Sequence, residues 1–298
     1  MSLRINPNPA PDLLLAIARN RQEQNAALQQ LSTGRKVVQL ADNPAAAAQV
    51  VLSHIDSAQD DQYLQNISAL TAQLGSIDSI LSSVVQALTQ AISLGVQGAN
   101  GTLSDADRQS IAQHMTGIRD QVLALANQTY QGSHVFGGTA TSAAPFVLDA
   151  TQPGGVRYDG NANTNTVAIS QGRTIAVNLP GSELFTNPAG NVLAALNEMI
   201  TALQSNSGLQ AANTSLNTAF SQLNTRRVFY GNTLSQLEST QTFLHTDKVR
   251  LAQQENALVG ADLAASITSL QQATTATEAI LSATGQVLST LNLLNFLK

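Results

Sequence analysis

Residues 60–91 read DDQYLQNISALTAQLGSIDSILSSVVQALTQA. The apolar residues of this stretch recur at alternating steps of three and four: Tyr63, Ile67, Leu70, Leu74, Ile77, Leu81, Val84 and Leu88. Such a/d heptad spacing is typical of a helix that presents one narrow apolar stripe to a partner helix. No proline interrupts the stretch, and Gly75 is its only glycine. The predicted helix, about 48 Å long at 1.5 Å rise per residue, needs a partner of similar length.

A second heptad stripe, between residues 216 and 251, supplies that partner. Its members are Leu216, Phe220, Leu223, Arg227, Tyr230, Leu234, Leu237, Gln241, Leu244, Lys248 and Leu251. The polar members, Arg227, Gln241 and Lys248, are expected to fix the register of pairing at some cost in stability. We predict an antiparallel helical rod with these core residues: Ile67, Leu70, Leu74, Ile77, Leu81, Val84, Leu88, Leu223, Tyr230, Leu234, Leu237 and Leu244.

Two weaker helices are predicted at the ends of the chain. The first starts at Asp12, a favourable N-cap residue. Its central stripe positions, Arg21 and Gln24, are polar, and the last helix carries threonines on its stripe, so each helix needs a partner in order to form. The candidate assembly residues are Leu14, Ile17, Leu28, Leu31, Ile267, Leu270, Leu281, Leu288 and Leu291. Assembly with neighbouring chains and packing within the chain are both open for these residues.

A connector joins the first helix to the long one. Gly34 suits the position that follows a helix end. Asp42 or Asn43 is the expected N-cap of the long helix, and Pro44 occupies its favoured first position. Gly34, Asp42, Asn43 and Pro44 are therefore the predicted connector residues.

A shorter helix is predicted after the long one. The glycines expected to end the long helix are Gly95, Gly98 and Gly101. Ser104 followed by Asp107 resembles a capping box and opens the next helix, which Gly132 is expected to close. The short loop predicts that this helix lies antiparallel to the long one.

A small β-rich insertion is predicted in the middle of the chain, where the apolar period falls towards two. Its expected strands are Val135–Phe136, Pro145–Leu148, Val156–Tyr158, Thr166–Ser170 and Thr174–Leu179. Gln171-Gly172 predicts a tight hairpin turn. The predicted segments are a terminal helix (1–40), the first part of the rod (41–133), the insertion (134–188), the second part of the rod (189–260) and a second terminal helix (261–298). The predicted fold class is mainly α.

The composition argues against several classes of function. The formal net charge is −5 and the basic residues are scattered, so neither nucleic acid nor an anionic membrane is expected as the main partner. The absence of cysteine excludes disulfides and thiolate metal sites. No run of 18 apolar residues is found, so no membrane-spanning helix is expected. The four histidines are far apart in sequence, and neither a metal site nor a cofactor is predicted.

The remaining polar patterns do not predict catalysis. Asp159, Asn161, Asn163 and Asn165 alternate as at the start of a calcium loop, but the glycine and glutamate that such a loop requires are missing. We interpret them as a polar hairpin loop. Neighbouring acidic residues, such as Asp60 and Asp61, fit a solvated helix face. Since nucleophile elbow, P-loop and dinucleotide motifs are lacking, no enzymatic activity is predicted.

Several short motifs resemble those of the flagellin superfamily. Residues 31–36 (LSTGRK) and 41–47 (ADNPAAA) are similar to its N-terminal signature, and residues 100–105 (NGTLSD) are similar to its loop after the long helix. In the insertion, residues 136–139 (FGGT) and the C-terminal residues 291–297 (LNLLNFL) are more similar to the hook–filament junction subfamily than to flagellin itself.

The resemblance implies a structural subunit of the bacterial flagellum, secreted unfolded through the type III export pathway to the extracellular hook–filament junction. The implied partners are further copies of this chain, the first hook-associated protein, flagellin, and an export chaperone bound to the C-terminal helix. No cofactor is implied. The family's terminal helices would form an inner tube and its long helices an outer tube.

Two alternatives remain open at the level of sequence. The chain could be a minor flagellin that forms the filament itself. The insertion could also be a binding or enzymatic domain carried on a filament scaffold, although no convergent set of catalytic residues supports that hypothesis.

Overall fold

Helices dominate the computed structural model, which describes residues 10–37, 42–152 and 154–290. The helices are α1 (Ala10–Thr33), α2 (Pro44–Gly98), α3 (Asp105–Ala126), α4 (Gly181–Leu184), α5 (Val192–Ser205), α6 (Leu209–Val259) and α7 (Leu263–Thr290). The strands are β1 (Thr129–Tyr130), β2 (Ser133–His134), β3 (Phe146–Leu148), β4 (Val156–Tyr158), β5 (Thr166–Ser170) and β6 (Arg173–Ala176). The predicted fold class, mainly α with a small β-rich insertion between long helices, is confirmed.

The chain forms two compact units. The terminal unit combines the two ends of the chain, up to Ala58 and from Asp247 onwards. The central unit comprises Gln59–Thr246. Because α2 and α6 are long, each contributes residues to both units.

In the central unit α2 and α6 run antiparallel. Arg227 of α6 pairs with Asp78 of α2, and the Asn213 side chain of α6 donates to the carbonyl oxygen of Gly95 at 3.1 Å. Residue numbers along α6 therefore fall as those along α2 rise. Of the predicted core residues, Leu234 is half-buried. The others are buried: Ile67, Leu70, Leu74, Ile77, Leu81, Val84, Leu88, Leu223, Tyr230, Leu237 and Leu244.

Within the described part of the chain, one helix, α2, is long and apolar enough to cross a membrane by length and composition. The helix α2 contains no unbroken run of 18 apolar residues, because serine, glutamine and glycine interrupt its apolar residues. Core helices pass the same test of length and composition. In the central unit, Leu81, Val84 and Leu88 of α2 are fully buried in the protein core.

The predicted capping box opens α3. Ser104 Oγ accepts a hydrogen bond from the Asp107 backbone N at 3.2 Å, and Asp107 Oδ2 accepts one from the Ser104 backbone N at 3.3 Å. The hydrogen bond from the Ser104 side chain is the main reason why the pKa of Asp107 is lowered. Apolar side chains of α3, including Ile111, Met115 and Val122, are buried, and α3 packs along α5.

Two glycines expected at helix ends have other positions. Gly95 lies inside α2, where the missing side chain leaves room for α6, since a Cβ on this residue would lie 2.5 Å from Asn213 Oδ1. The helix α3 ends before Asn127, and Gly132 instead occupies a left-handed position, with φ of 81°, between β1 and β2. Gly95 is required by the close approach of α6, and Gly132 is required by the turn between β1 and β2.

The strands form three separate two-stranded antiparallel sheets: β3–β4 and β5–β6 lie within the predicted insertion, and β1–β2 lies at its N-terminal edge. The hairpin between β5 and β6 turns at Gln171-Gly172, as predicted. The predicted strand at Val135–Phe136 is wrong, because β2 ends at His134 and Phe136 is a fully buried core residue. The Phe136 ring packs edge-on against Phe185, with ring centroids 5.2 Å apart. Aromatic packing therefore takes the place of strand pairing there.

Candidate assembly surface

The terminal unit contains the two terminal helices, α1 and α7, which pack together antiparallel. Asn20 Nδ2 donates to the Ala273 carbonyl oxygen at 2.7 Å and to Thr277 Oγ1 at 2.6 Å. Farther along the pair, Ser266 Oγ donates to Gln30 Oε1 at 2.9 Å. Side-chain hydrogen bonds thus connect residues of the two helices that are 236 or more positions apart in sequence.

Small side chains fill the interface between α1 and α7. Ala27 and Ala273 are buried there together with the polar residues Asn20 and Ser266. Burying an asparagine is costly unless its amide is hydrogen-bonded, and the two bonds donated by Asn20 meet that requirement. Polar residues in such an interface fix the register of the two helices.

The largest apolar residues of the two helices lie mostly outside this interface. Leu14 and Leu28 of α1 are 67% and 52% exposed, and Ile267 and Leu281 of α7 are 48% and 58% exposed. In each pair the residues are close to four helical turns apart, so they lie on the same side of their helix. These four residues, which we call the exposed apolar set, are therefore left for contacts beyond the helix pair.

The other predicted assembly residues have different environments. Ile17, Leu31 and Leu270 are half-buried. The side chains of Leu288 and Leu291 lie outside the described residues. Between Leu263 and Thr290, α7 carries a single charged residue, Glu278. Covering this helix with another chain therefore requires little desolvation of charge.

The helix α1 begins two residues earlier than predicted. Ala10 is its first residue, Pro11 lies in its first turn, and Asp12 is inside the helix instead of at the N-cap. Proline is tolerated in the first turn because the N–H groups there have no acceptor within the helix. At the other end Gly34 has φ of 68°, the left-handed conformation expected after a helix end.

The chain that leaves α1, residues 34–36, pairs with the turn between α6 and α7, residues 259–261. The two backbone hydrogen bonds run from Lys36 N to Val259 O at 2.7 Å and from Ala261 N to Gly34 O at 2.9 Å. Both breaks between helices, one from each end of the chain, are thereby joined in one short antiparallel contact, which we call the paired connector.

Glu255 of α6 lies beside the paired connector and contacts two basic side chains. Arg35 Nη2 is 2.6 Å from Glu255 Oε1, and His54 Nε2 is 3.1 Å from Glu255 Oε2. Arg35 belongs to the connector and His54 to α2. One carboxylate therefore contacts side chains from two other segments of the terminal unit.

The start of α2 combines a predicted feature with one that the sequence did not indicate. Of the two candidate caps, Asn43 holds the N-cap position: its Oδ1 accepts a hydrogen bond from the Ala46 backbone N at 3.1 Å, and Pro44 is the first helical residue. Val51, Leu52 and Ile55 are exposed in the terminal unit. Sequence reasoning missed them because they precede the heptad stripe that begins at Tyr63.

The residues that resemble the start of a calcium loop form hydrogen bonds with nearby residues of the insertion. Arg157 Nε donates to Asp159 Oδ1 at 2.6 Å, and this bond holds the pKa of Asp159 below its ordinary value. Asn161 Oδ1 accepts hydrogen bonds from the backbone N atoms of Thr139 and Asn163. Among the described residues, no group of three or more His, Cys, Asp or Glu side chains is arranged to hold a metal ion.

Comparisons with known proteins agree with this architecture. Residues 7–141 match the family model for the bacterial flagellin N-terminal helical region. Flagellar hook-associated protein 3 of Escherichia coli (strain K12) is 31% identical over 277 residues, 84% of this chain and 86% of that protein. A flagellin of Listeria innocua serovar 6a is 24% identical over 204 residues, 66% of this chain and 71% of that protein. The flagellar junction protein of Legionella pneumophila, 15% identical, shares the fold with a TM-score of 0.62, covering 71% of this chain and 100% of that one.

Packed terminal helices, long antiparallel helices and a small β-rich insertion define a flagellin-like protein. Within that class, the similarity to the hook-associated protein is both higher and more extensive than the similarity to the flagellin. The chain belongs to the flagellar hook-associated protein 3 family.

Proposed function

We propose that this protein is a structural subunit that joins the flagellar hook to the flagellin filament. The observation that carries the proposal is the 31% identity to a flagellar hook-associated protein 3 across 86% of that protein's length. The mechanism is adhesion between helices, without catalysis. The proposed partners are further copies of this chain, the first hook-associated protein and flagellin, with an export chaperone on the C-terminal helix before assembly. The proposed location is the extracellular hook–filament junction.

The exposed apolar set supports this mechanism. Complete burial of a fully exposed leucine or isoleucine side chain contributes about 1.5–3 kcal/mol, and these four residues are each about half exposed. Burying their remaining exposed surface therefore offers about 3–7 kcal/mol before the costs of association. The polar interface inside the helix pair does not use these residues, because Asn20, Ala27 and Ala273 occupy it. The pair can therefore form within one chain and still present apolar side chains to neighbours.

A complementation experiment tests the assembly role. A strain that lacks the gene receives either the wild-type gene or a variant with Leu14, Leu28, Ile267 and Leu281 all replaced by glutamine, which keeps helix propensity. Because each 1.4 kcal/mol of lost adhesion lowers an association constant about tenfold, we expect filaments per cell to fall by at least about tenfold and flagellin to appear in the medium.

A matched control replaces Val228 and Phe243 by glutamine. Both are exposed apolar residues of α6, 56% and 61% exposed, but they belong to the central unit. We expect this variant to retain filaments. Normal filaments in the terminal variant, or equal loss in both variants, would contradict the proposed role of the exposed apolar set. Circular dichroism of each purified variant checks that helix content is unchanged.

Immunogold labelling separates the junction role from that of a minor flagellin. We expect label only where the filament meets the hook, because the chain is more similar to the hook-associated protein than to flagellin. Label along the whole filament would support the minor flagellin instead.

A further inference from the structure

We infer that the paired connector is a single hinge and that Glu255 sets its angle. The two breaks between helices, one after α1 and one after α6, are far apart in sequence. They are joined by the backbone hydrogen bonds from Lys36 to Val259 and from Ala261 to Gly34. Because the breaks are joined, α1 and α7 can change direction only together, as one packed pair.

The backbone of the paired connector permits bending. Gly34 has φ of 68° and no neighbouring heavy atom would contact a Cβ placed on it. A cavity of about 270 Å³ lies beside the contact and is lined by Thr33, Ala252 and Asn256 together with the connector residues. The hinge is therefore not close-packed. Its two backbone hydrogen bonds alone do not define the angle that α1 and α7 make with α2 and α6.

Glu255 supplies the missing constraint. Each of its two carboxylate oxygens contacts a different side chain: Oε1 lies 2.6 Å from Arg35 Nη2, and Oε2 lies 3.1 Å from His54 Nε2. Arg35 moves with the connector, His54 with α2, and Glu255 with α6. A change in hinge angle would have to lengthen at least one of these contacts. Glu255 is thus a positioning residue for the direction of α1 and α7.

The contacts of Glu255 restrict the hinge angle but are weak enough for that angle to change. Arg35 and His54 are both more than half exposed, and an exposed ion pair such as that between Arg35 and Glu255 contributes about 0–1 kcal/mol to global stability. Loss of Glu255 should therefore alter the hinge angle far more than it alters the unfolding temperature. In the proposed junction, a subunit with such a hinge can fit unequal neighbours on its two sides. This last step rests on the proposed function, whereas the hinge itself is a property of the free chain.

The experiment measures the hinge in the full-length monomer. Because the chain has no cysteine, two can be introduced and spin-labelled at exposed positions, Gln49→Cys on α2 and Thr275→Cys on α7. Pulsed electron resonance then gives the distribution of distances between the labels. We expect Glu255→Ala to broaden the distribution about twofold, since more hinge angles become populated. Glu255→Gln, which keeps the hydrogen-bonding oxygen but not the charge, should fall between Glu255→Ala and wild type.

Asp247→Ala is the matched control. It removes an ion pair with Arg250 on the same helix, 2.8 Å long, that does not involve the connector. We expect it to leave the distribution unchanged. An unchanged distribution in Glu255→Ala, or equal broadening in Asp247→Ala, would overturn the inference. So would a fall in thermal stability large enough to show unfolding of α1 and α7. Because no flagellar assembly enters this measurement, its failure would leave the complementation experiment unaffected, and the reverse also holds.

Discussion

Arg227 and Asp78 form a two-point contact between the antiparallel helices α6 and α2, with Nε and Nη2 of the arginine donating to the two carboxylate oxygens at 2.7 and 2.9 Å. The hydrogen bonds from Arg227 hold the pKa of Asp78 below its ordinary value. Arg227 is one of three polar residues, with Gln241 and Lys248, on the mostly apolar stripe of α6. The contact therefore fixes the register of α2 against α6 as well as adding to its stability.

The first prediction concerns Asp78→Asn. Because the pKa of Asp78 is lowered in the folded chain, its contribution is present above the unfolded pKa of about 3.9 and is lost as the pH falls below that value. At pH 7 we expect the variant to lose about 1 kcal/mol, a value for a partly exposed ion pair. Urea unfolding should show this loss shrinking below about pH 4. Glu238→Gln, on the exposed side of α6, is the control and should leave the free energy of unfolding at pH 7 unchanged.

The second prediction compares two glycines of α2. A Cβ at position 95 would lie 2.5 Å from Asn213 Oδ1 and 2.8 Å from Met199 Cε, so Gly95→Ala should destabilise the chain by about 1–3 kcal/mol. At position 75 nothing lies within 4 Å of a Cβ, and Gly75→Ala should stabilise it by about 0.5–1 kcal/mol. Thermal unfolding of both variants is the measurement. Equal effects would show that packing against α6 is not what requires Gly95.

The third prediction concerns Tyr230→Phe. The buried Tyr230 hydroxyl accepts a hydrogen bond from the Leu179 backbone N at 3.2 Å, which connects α6 to the insertion. Without the hydroxyl this amide has lost its acceptor, at a cost of about 1–3 kcal/mol in unfolding free energy. Chemical denaturation measures the loss, and Tyr63→Phe, at a half-buried position on α2, is the control with the smaller expected effect.

Tyr230 also predicts a response to alkaline pH. Burial raises the pKa of Tyr230, so the folded chain favours the neutral phenol. The corresponding stability is present below the unfolded pKa of about 10 and is lost as the pH rises beyond it. Wild type should therefore lose more stability above about pH 10 than Tyr230→Phe does. Identical pH profiles would rule out this contribution.

The fourth prediction concerns the packing of α1 on α7. Asn20→Ala removes the hydrogen bonds to Ala273 and Thr277, which should cost about 1–2 kcal/mol locally. Hydrogen exchange should then accelerate in α1 and α7 but not in the central unit. Asn25→Ala, the same substitution on the exposed side of α1, is the control. Asn25→Ala raises the helix propensity of α1 as much as Asn20→Ala does, and it should not accelerate hydrogen exchange in α1 or α7.

Heptad spacing predicted the long helices well because a single physical requirement, burial of one stripe, repeats along their length. It placed Leu74, Leu81 and Leu223, all fully buried, without any knowledge of their partners. A contact that occurs only once leaves no repeating pattern in the sequence, so heptad spacing cannot predict it. The pairing of Arg227 with Asp78 spans 149 residues, and only the unexpected polarity of position 227 hinted at it.

The terminal helices were harder to predict because their interface is built from small and polar residues. The sequence drew attention to the leucines at positions 14 and 28, yet α1 contacts α7 through Asn20 and Ala27. Small side chains allow a close approach, and the hydrogen bonds of Asn20 specify the partner. Such an interface produces no hydrophobic periodicity in the sequence from which it could be predicted. The left-handed Gly34 was predictable because conformation, not a distant contact, requires it.

The division of the six short strands into three separate hairpins affects how the chain behaves at high local concentration. Each strand in the described residues is only two to five residues long, and each sheet has two strands. Long open strand edges can recruit strands of other molecules and lead to fibrous aggregation. Short, separate edges offer little template for it. At high local concentration, copies of this chain are therefore protected against amyloid-like pairing of their strands.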